Sequence, residues 1–206
     1  MQENIFHNPT LISYVVKTIR EMYPAAQVGK TAIQNIVYLL SRKGVCDFDY
    51  SLYHYGPHSS QVSSELNFAE EIDVIAIDWI PEKGYSISPG PMFSSRLLLQ
   101  NTKETERDAV NKIVQEYGSY NAIELSIIAT GLFLKENFGV KDQSSLEDVV
   151  SSLRPQYDKM RISNLLGNRL HNLEIKTIDH LQPKISADLA IQVGSIADLD
   201  YTKVHK

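Results

Sequence analysis

The chain has 206 residues, 43% of them hydrophobic, and a formal net charge of −5. That is enough apolar material for one sizeable domain or two small ones, and the acidity excludes an overall positive field that would draw in nucleic acid. A single cysteine, Cys46, excludes an internal disulfide framework and a multi-cysteine zinc site. No apolar run reaches the length of a membrane span, and the start shows no basic stretch leading into an apolar one, so a cytoplasmic protein without membrane contact is expected.

Residues 8–23 predict a helix, with Asn8 or Thr10 as cap and Ile12, Val15, Val16, Ile19 and Met22 as its buried stripe. Pro24 stops it. Residues 30–43 predict a second helix, with Ile33, Ile36, Val37 and Leu40 inward, Lys30, Gln34 and Ser41 outward, and Gly44 as its C-terminal stop. Residues 47–55 alternate: Phe48, Tyr50 and Leu52 face one way, as in a half-buried strand. Gly56-Pro57 reads as the turn that ends it. From Ser59 the apolar positions Val62, Leu66, Ala69 and Ile72 make one helical face, Ser59 or Ser60 is the cap, and Asp73 marks the exit. Residues 74–80 and 85–88 then read as a hairpin around Pro81-Glu82-Lys83-Gly84.

The second half reads as helical. Asn101-x-x-Glu104 and Asn121-x-x-Glu124 both have capping-box form, and Gly118 and Gly139 are stops. The helix after Asn121 is apolar nearly all round, which predicts burial on several sides and makes residues 122–138 the element shared by both halves. Ser144-x-x-Glu147 is expected to cap a short helix, and Arg154-Pro155 to start the last long one, striped by Ile162, Leu165, Leu166, Leu170 and Leu173. The fold class expected is α+β, mainly α. Its parts are a winged-helix-like region over 1–95, a helical extension over 96–175 packed on it, and a C-terminal arm over 176–206. Ile185, Leu189, Ile191, Val193 and Ile196 make that arm too apolar for a free disordered segment.

The segments GKTAIQNIVYLL (29–40) and DFDYSLYHYGPHSSQVSSELNFAEEIDVI (47–75) carry a family resemblance. They resemble the YwgA-like family of small prokaryotic proteins, and more distantly the Panacea antitoxin domain. The matching residues are Lys30, Gln34, Tyr38, Tyr53, Tyr55, Gly56, Pro57 and Ser59. Asn35 stands where the family usually has Lys, and His58 where Tyr is common. The resemblance covers about residues 10–90 and implies a winged-helix-like region; it implies no reaction.

Several groups of residues are candidates for function. Lys30 and Gln34, one turn apart, together with Tyr53, His54, Tyr55, His58 and Ser59 form a candidate polar pocket beside the Gly-Pro turn. Two readings stay open there. In one, His54 and His58 act as acid/base groups or ligands and Ser59 or Ser60 as nucleophile. In the other, the run is a structural turn with aromatic packing and a serine cap. A triad needs a spaced carboxylate and a metal three or four ligands. Only Asp47 and Asp49 are near, so no catalytic set, metal or cofactor is expected.

The second candidate is a nucleic-acid face of Ser60, Gln61, Ser64 and Asn67 with Lys83 on the wing, since such side chains hydrogen-bond base edges. Phosphate binding normally adds Lys and Arg. Residues 1–95 hold six Lys or Arg against ten Asp or Glu, and the helix itself has no cation. The third is a basic face of Arg154, Lys159, Arg161 and Arg169, with Arg154 and Arg161 seven apart. It would meet a partner or pair with acidic residues of the same chain. The leading expectation is a non-enzymatic interaction subunit of a regulatory, antitoxin-like or defence complex. It would have a protein partner, a second copy of itself included. The alternative is a DNA-binding winged-helix regulator.

Overall fold

The computed structural model describes residues 4–169 and 184–185. These are mainly helical, with two small sheets. In chain order they are α1 (His7–Met22), α2 (Lys30–Arg42), β1 (Ser51–Tyr53), β2 (Gly56–His58), α3 (Ser60–Glu71), β3 (Ile75–Ile80) and β4 (Gly84–Pro89). There follow α4 (Ser95–Asn101), α5 (Glu104–Tyr117), α6 (Ala122–Asn137), α7 (Gln143–Leu153), α8 (Lys159–Arg169) and β5 (Lys184–Ile185). One sheet has the order β2-β1-β5, with β1 antiparallel to β2 and parallel to β5; the other is the antiparallel hairpin β3–β4. Among the described residues no helix is long and apolar enough to cross a membrane.

Two helices make the centre. In α6 every residue from Leu125 to Leu134 is buried, as its apolar circumference predicts. The helix packs on α2 and β2 on one side and on α7 and α8 on the other. Its start is the predicted capping box: Asn121 Oδ1 accepts from the N–H groups of Ile123 and Glu124, both at 3.0 Å, and Glu124 accepts from the Asn121 N–H. At roughly 1.5–3 kcal/mol for each fully buried large apolar side chain, Ile127, Ile128, Leu132, Phe133 and Leu134 supply much of what holds the halves together. The second central helix departs from expectation. In α2 every residue from Ala32 to Arg42 is buried, including Gln34 and Ser41, which were expected outside. Each has an internal partner: Ser41 donates to the Val37 carbonyl, and Gln34 donates to the Ser59 carbonyl. A satisfied polar group is tolerated in a core.

Helix ends follow two patterns. Gly44 (φ 72°) and Asp73 (φ 55°) both sit just past a helix, in the left-handed region. In each case the next two N–H groups fold back: Gly44 to Ser41 and Val45 to Leu40, Asp73 to Glu70 and Val74 to Ala69. This is the Schellman arrangement. Elsewhere the caps shift. Helix α1 begins two to four residues earlier than Asn8 or Thr10 could cap, after Phe6 and without a side-chain cap, and Met22 at its end is exposed. Asn101 does not cap α5, because it closes α4, donating to the Leu97 carbonyl. Glu106 instead accepts from the Lys103 N–H. Asp142, rather than Ser144, caps α7, accepting from the Ser145 N–H at 2.7 Å. Arg154 and Pro155 do not begin α8: Arg154 ends α7, and Asp158 accepts from the Arg161 N–H where α8 starts.

The strand expected over 47–55 is also shorter. Phe48, Tyr50 and Leu52 are buried as predicted, but only Ser51–Tyr53 pairs, and it turns at His54-Tyr55. Gly56-Pro57 belongs to the returning strand. Tyr53 faces Gly56 and Leu52 faces Pro57. In a two-residue hairpin the second pair exchanges no N–H bonds across the ladder, so the proline costs nothing there. Gly56 has φ +100°, and a Cβ on it would lie 2.5 Å from Asn35 Oδ1. Most of the arm expected over 176–206, and Leu170 and Leu173 of the last stripe, lie outside the described residues.

Candidate functional site: two hollows sharing Lys30

Gln34 fixes the geometry. Its Nε2 donates to the Ser59 carbonyl at 2.9 Å and to Ser63 Oγ at 3.0 Å, while its Oε1 accepts from the Ser59 N–H at 3.1 Å. This clasp ties α2 to the first turn of α3. It uses up Ser59, which is 1% exposed and also caps α3 through the Val62 N–H. Ser59 is therefore structural and unavailable as a nucleophile. Beside the clasp lies a hollow of about 380 Å3 lined by Lys30, Thr31, Gln34, His58, Ser63, Leu66 and Asn67. His58 Nε2 stands 3.3 Å from Ser63 Oγ, and its ring packs on Tyr53 with centroids 5.2 Å apart.

Of the predicted pocket, the fold brings Lys30, Gln34 and His58 together, with Tyr53 behind His58. His54 and Tyr55 do not line the hollow. They form the exposed β1–β2 turn, so the two histidines make no joint site. Thr31 and Ser63 were missed. Ser63 was visible only as the residue four beyond Ser59.

On the other side of Lys30 and Thr31 is a second hollow of about 390 Å3, walled by Gln27, Trp79, Lys83, Tyr85, Asn121 and Ile123. Its aromatic wall follows from strand register. Ile75, Ile77 and Trp79 share one face of the hairpin with Pro89, Ile87 and Tyr85 opposite them. The base of this face is core: Ile75 is 1% exposed and Ile87 0%. The Ile87 N–H donates to the Val28 carbonyl at 2.7 Å and its carbonyl accepts from Arg20, which pins β4 to the body. Towards the tip the same apolar stripe outruns the core. Trp79 is 65% exposed and Tyr85 45%, packed edge to face at 5.0 Å. Lys30 Nζ lies over the Tyr85 ring, 4.5 Å from its centroid. Gly29 permits this approach, since a Cβ there would meet the Tyr85 carbonyl oxygen at 3.2 Å.

The predicted nucleic-acid residues Ser60, Gln61, Ser64 and Asn67 are exposed on α3. Gln61 is engaged, accepting from the Asp49 N–H at 2.8 Å, and Ser64 donates to the Ser60 carbonyl. Asn67 lines the first hollow, while Lys83 lines the second. The predicted basic face is corrected. Arg154 is 1% exposed and donates to the Tyr53 carbonyl at 3.0 Å and to Thr130 Oγ1 at 3.3 Å. Desolvation pushes its pKa down. It therefore braces the β1–β2 turn and offers no partner a charge. Lys159 pairs with Asp148 at 2.6 Å and Arg161 with Glu124 at 3.0 Å, both within the helical half. The side chain of Arg169 lies outside the described residues.

Away from the hollows is a buried polar cluster that pattern reading did not find. Arg42 Nη1 lies 3.3 Å from Glu136 Oε2, and Tyr38 donates to the same oxygen at 3.1 Å. Burial raises the pKa of Glu136, against the pull of Arg42 and the Tyr38 hydroxyl. Cys46 is buried 3.2 Å from Ser41 Oγ, and burial pushes its thiol up to about 12. Among the described residues no three His, Cys, Asp or Glu side chains group as a metal site. In comparison with known proteins, no family model and no curated protein matches this chain.

Proposed function

We propose that the chain is a non-enzymatic interaction subunit, part of a regulatory, antitoxin-like or defence complex, that docks a protein partner on the β3–β4 hairpin. One observation carries this: the apolar stripe of the hairpin continues past the core and ends in Trp79 and Tyr85, both exposed. Trp and Tyr are the side chains that anchor protein interfaces, because each brings a large rigid area at low entropy cost. Lys30 and Lys83 at the edge supply a polar rim of the usual kind. The winged-helix-like reading of residues 1–95 belongs to this proposal. In it, the hairpin is the wing and α3 the helix beside it, turned from nucleic acid to protein. The acidity of α3, with Glu65, Glu70 and Glu71 and no Lys or Arg, favours that turn.

The second reading, a DNA-binding regulator, rests on the exposed polar row Ser60, Gln61, Ser64 and Asn67. Affinity purification from the native host at moderate salt separates the two. The wild type is compared with Trp79→Ser/Tyr85→Ser, reading the eluate by mass spectrometry and by the ratio of absorbance at 260 and 280 nm. A stoichiometric protein retained by the wild type and lost from a folded double variant is the expected result. A nuclease-sensitive nucleic acid with no partner protein refutes it and moves the site to α3.

A further inference from the structure

The first hollow makes a different case from the hairpin, and its argument is independent of the docking reading. Its polar walls are Lys30, Thr31, His58, Ser63 and Asn67. Every one carries a donor, that of Ser63 directed at the Ser59 carbonyl at 3.3 Å, and no carboxylate lines this hollow or its neighbour, in a chain with 25 Asp and Glu. Gln34 does not compete for a ligand, since both ends of its amide are spent on Ser59 and Ser63. It holds Ser63 in place against His58. Among the described residues Lys30 has no carboxylate within ion-pair distance, and its Nζ rests over the Tyr85 ring. A ring face attracts an ammonium far less than a doubly charged anion does. The backbone adds to this. Gly29, the cap of α2, has no side chain to accept from the first N–H groups of the helix, and the first bond back to Gly29 comes from Ile33.

We propose that this hollow binds a phosphoryl group, as inorganic phosphate or a small phosphomonoester. Lys30 supplies the charge, and Thr31, His58 and Asn67 supply hydrogen bonds. The volume of about 380 Å3 leaves room for a small organic group beside the phosphate. Binding draws Lys30 off Tyr85, and Tyr85 packs on Trp79. Trp79 is the chain's one tryptophan, so the site reports its own occupancy.

The test titrates the full chain with inorganic phosphate and, separately, with ribose 5-phosphate, against sodium chloride at equal ionic strength. The readouts are tryptophan fluorescence, calorimetry and backbone amide shifts. Saturable binding with shifts centred on Thr31, Ser63 and Asn67 is expected. Lys30→Met should weaken it tenfold or more and Asn67→Ala severalfold, while Lys112→Met, an exposed lysine on α5, should leave it unchanged. Far-UV circular dichroism and the urea midpoint confirm that each variant is folded. Tighter binding of ribose 5-phosphate than of phosphate identifies an ester as the ligand; equal binding identifies the free ion. Chloride reproducing the shifts, shifts centred elsewhere, or Lys30→Met binding within twofold of the wild type would overturn the proposal.

Discussion

Removing one member of the Arg42–Glu136 pair should destabilise the fold far more than removing both. The two side chains are 8% and 7% exposed, and Glu136 Oε1 and Arg42 Nε have no partner among the described residues. At 3.3 Å and an effective dielectric constant of about 20, their attraction is about 5 kcal/mol. Desolvating two ions costs several kcal/mol each, so the pair is near neutral against apolar groups of like volume. Glu136→Leu strands a guanidinium that cannot lose its proton, and should cost about 3–5 kcal/mol. Arg42→Met strands a carboxyl that can take one, and should cost less, about 1–3 kcal/mol. The double variant should fall within about 1 kcal/mol of the wild type. Urea unfolding at pH 7 with linear extrapolation measures all four corners of the cycle. A double variant whose cost equals the sum of the singles would refute the reasoning. The pH dependence gives a second check. The folded pKa of Glu136 is raised, so the folded state holds this proton more tightly. Its contribution is therefore greatest below the ordinary carboxylate range and declines as pH rises towards the folded value. Glu136→Gln should abolish that decline.

Three further outcomes are expected. Gly56→Ala meets both a positive φ and the Asn35 oxygen, and should cost about 2 kcal/mol or more in urea unfolding; a cost below half that would mean the β1–β2 turn relaxes freely. Hydrogen bonds from the Ser145 backbone and side chain hold Asp142 below the usual carboxylate range. Its cap is then fully effective above the unfolded pKa and is lost as pH falls through the folded one, so Asp142→Ala should flatten the acid limb of a plot of Tm against pH. With its thiol pushed up to about 12, Cys46 should resist iodoacetamide at pH 8 in the native protein and react readily in urea. Equal rates in the two states would contradict its burial.

Local signals carried the elements well and the polar contacts poorly. Ser59, Gly44, Asp73 and Asn121 were readable because a helix end needs particular chemistry within four residues of itself. The ten-residue buried run of α6 was readable because it lacks a polar side. Gln34 and Ser41 were misplaced for the opposite reason. They are polar, and what keeps Gln34 inside is Ser59, 25 positions away. Pattern reading cannot see a partner at that range. Arg154 lies before α8 although Pro155 has the form of a helix start, because Asp158 holds the cap. Residues 74–80 and 85–88 are legible as a hairpin; how far the core extends under its apolar face depends on Arg20 and Val28, which lie outside it.

The all-round burial of α6 bears on how the chain is made. On a ribosome α2 emerges long before its cover, because Arg42 and Asn137, which ends α6, are 95 residues apart. At about 5–20 residues per second that is on the order of 5–20 s. Through that interval α2 has α1, β2, α3 and, later, α5 to pack on but not α6. The nascent first half is therefore a sticky species, one that chaperones that shield apolar surface would recognise. A synonymous change that slows translation between codons 45 and 137 should lower soluble yield while leaving the stability of the purified protein unchanged.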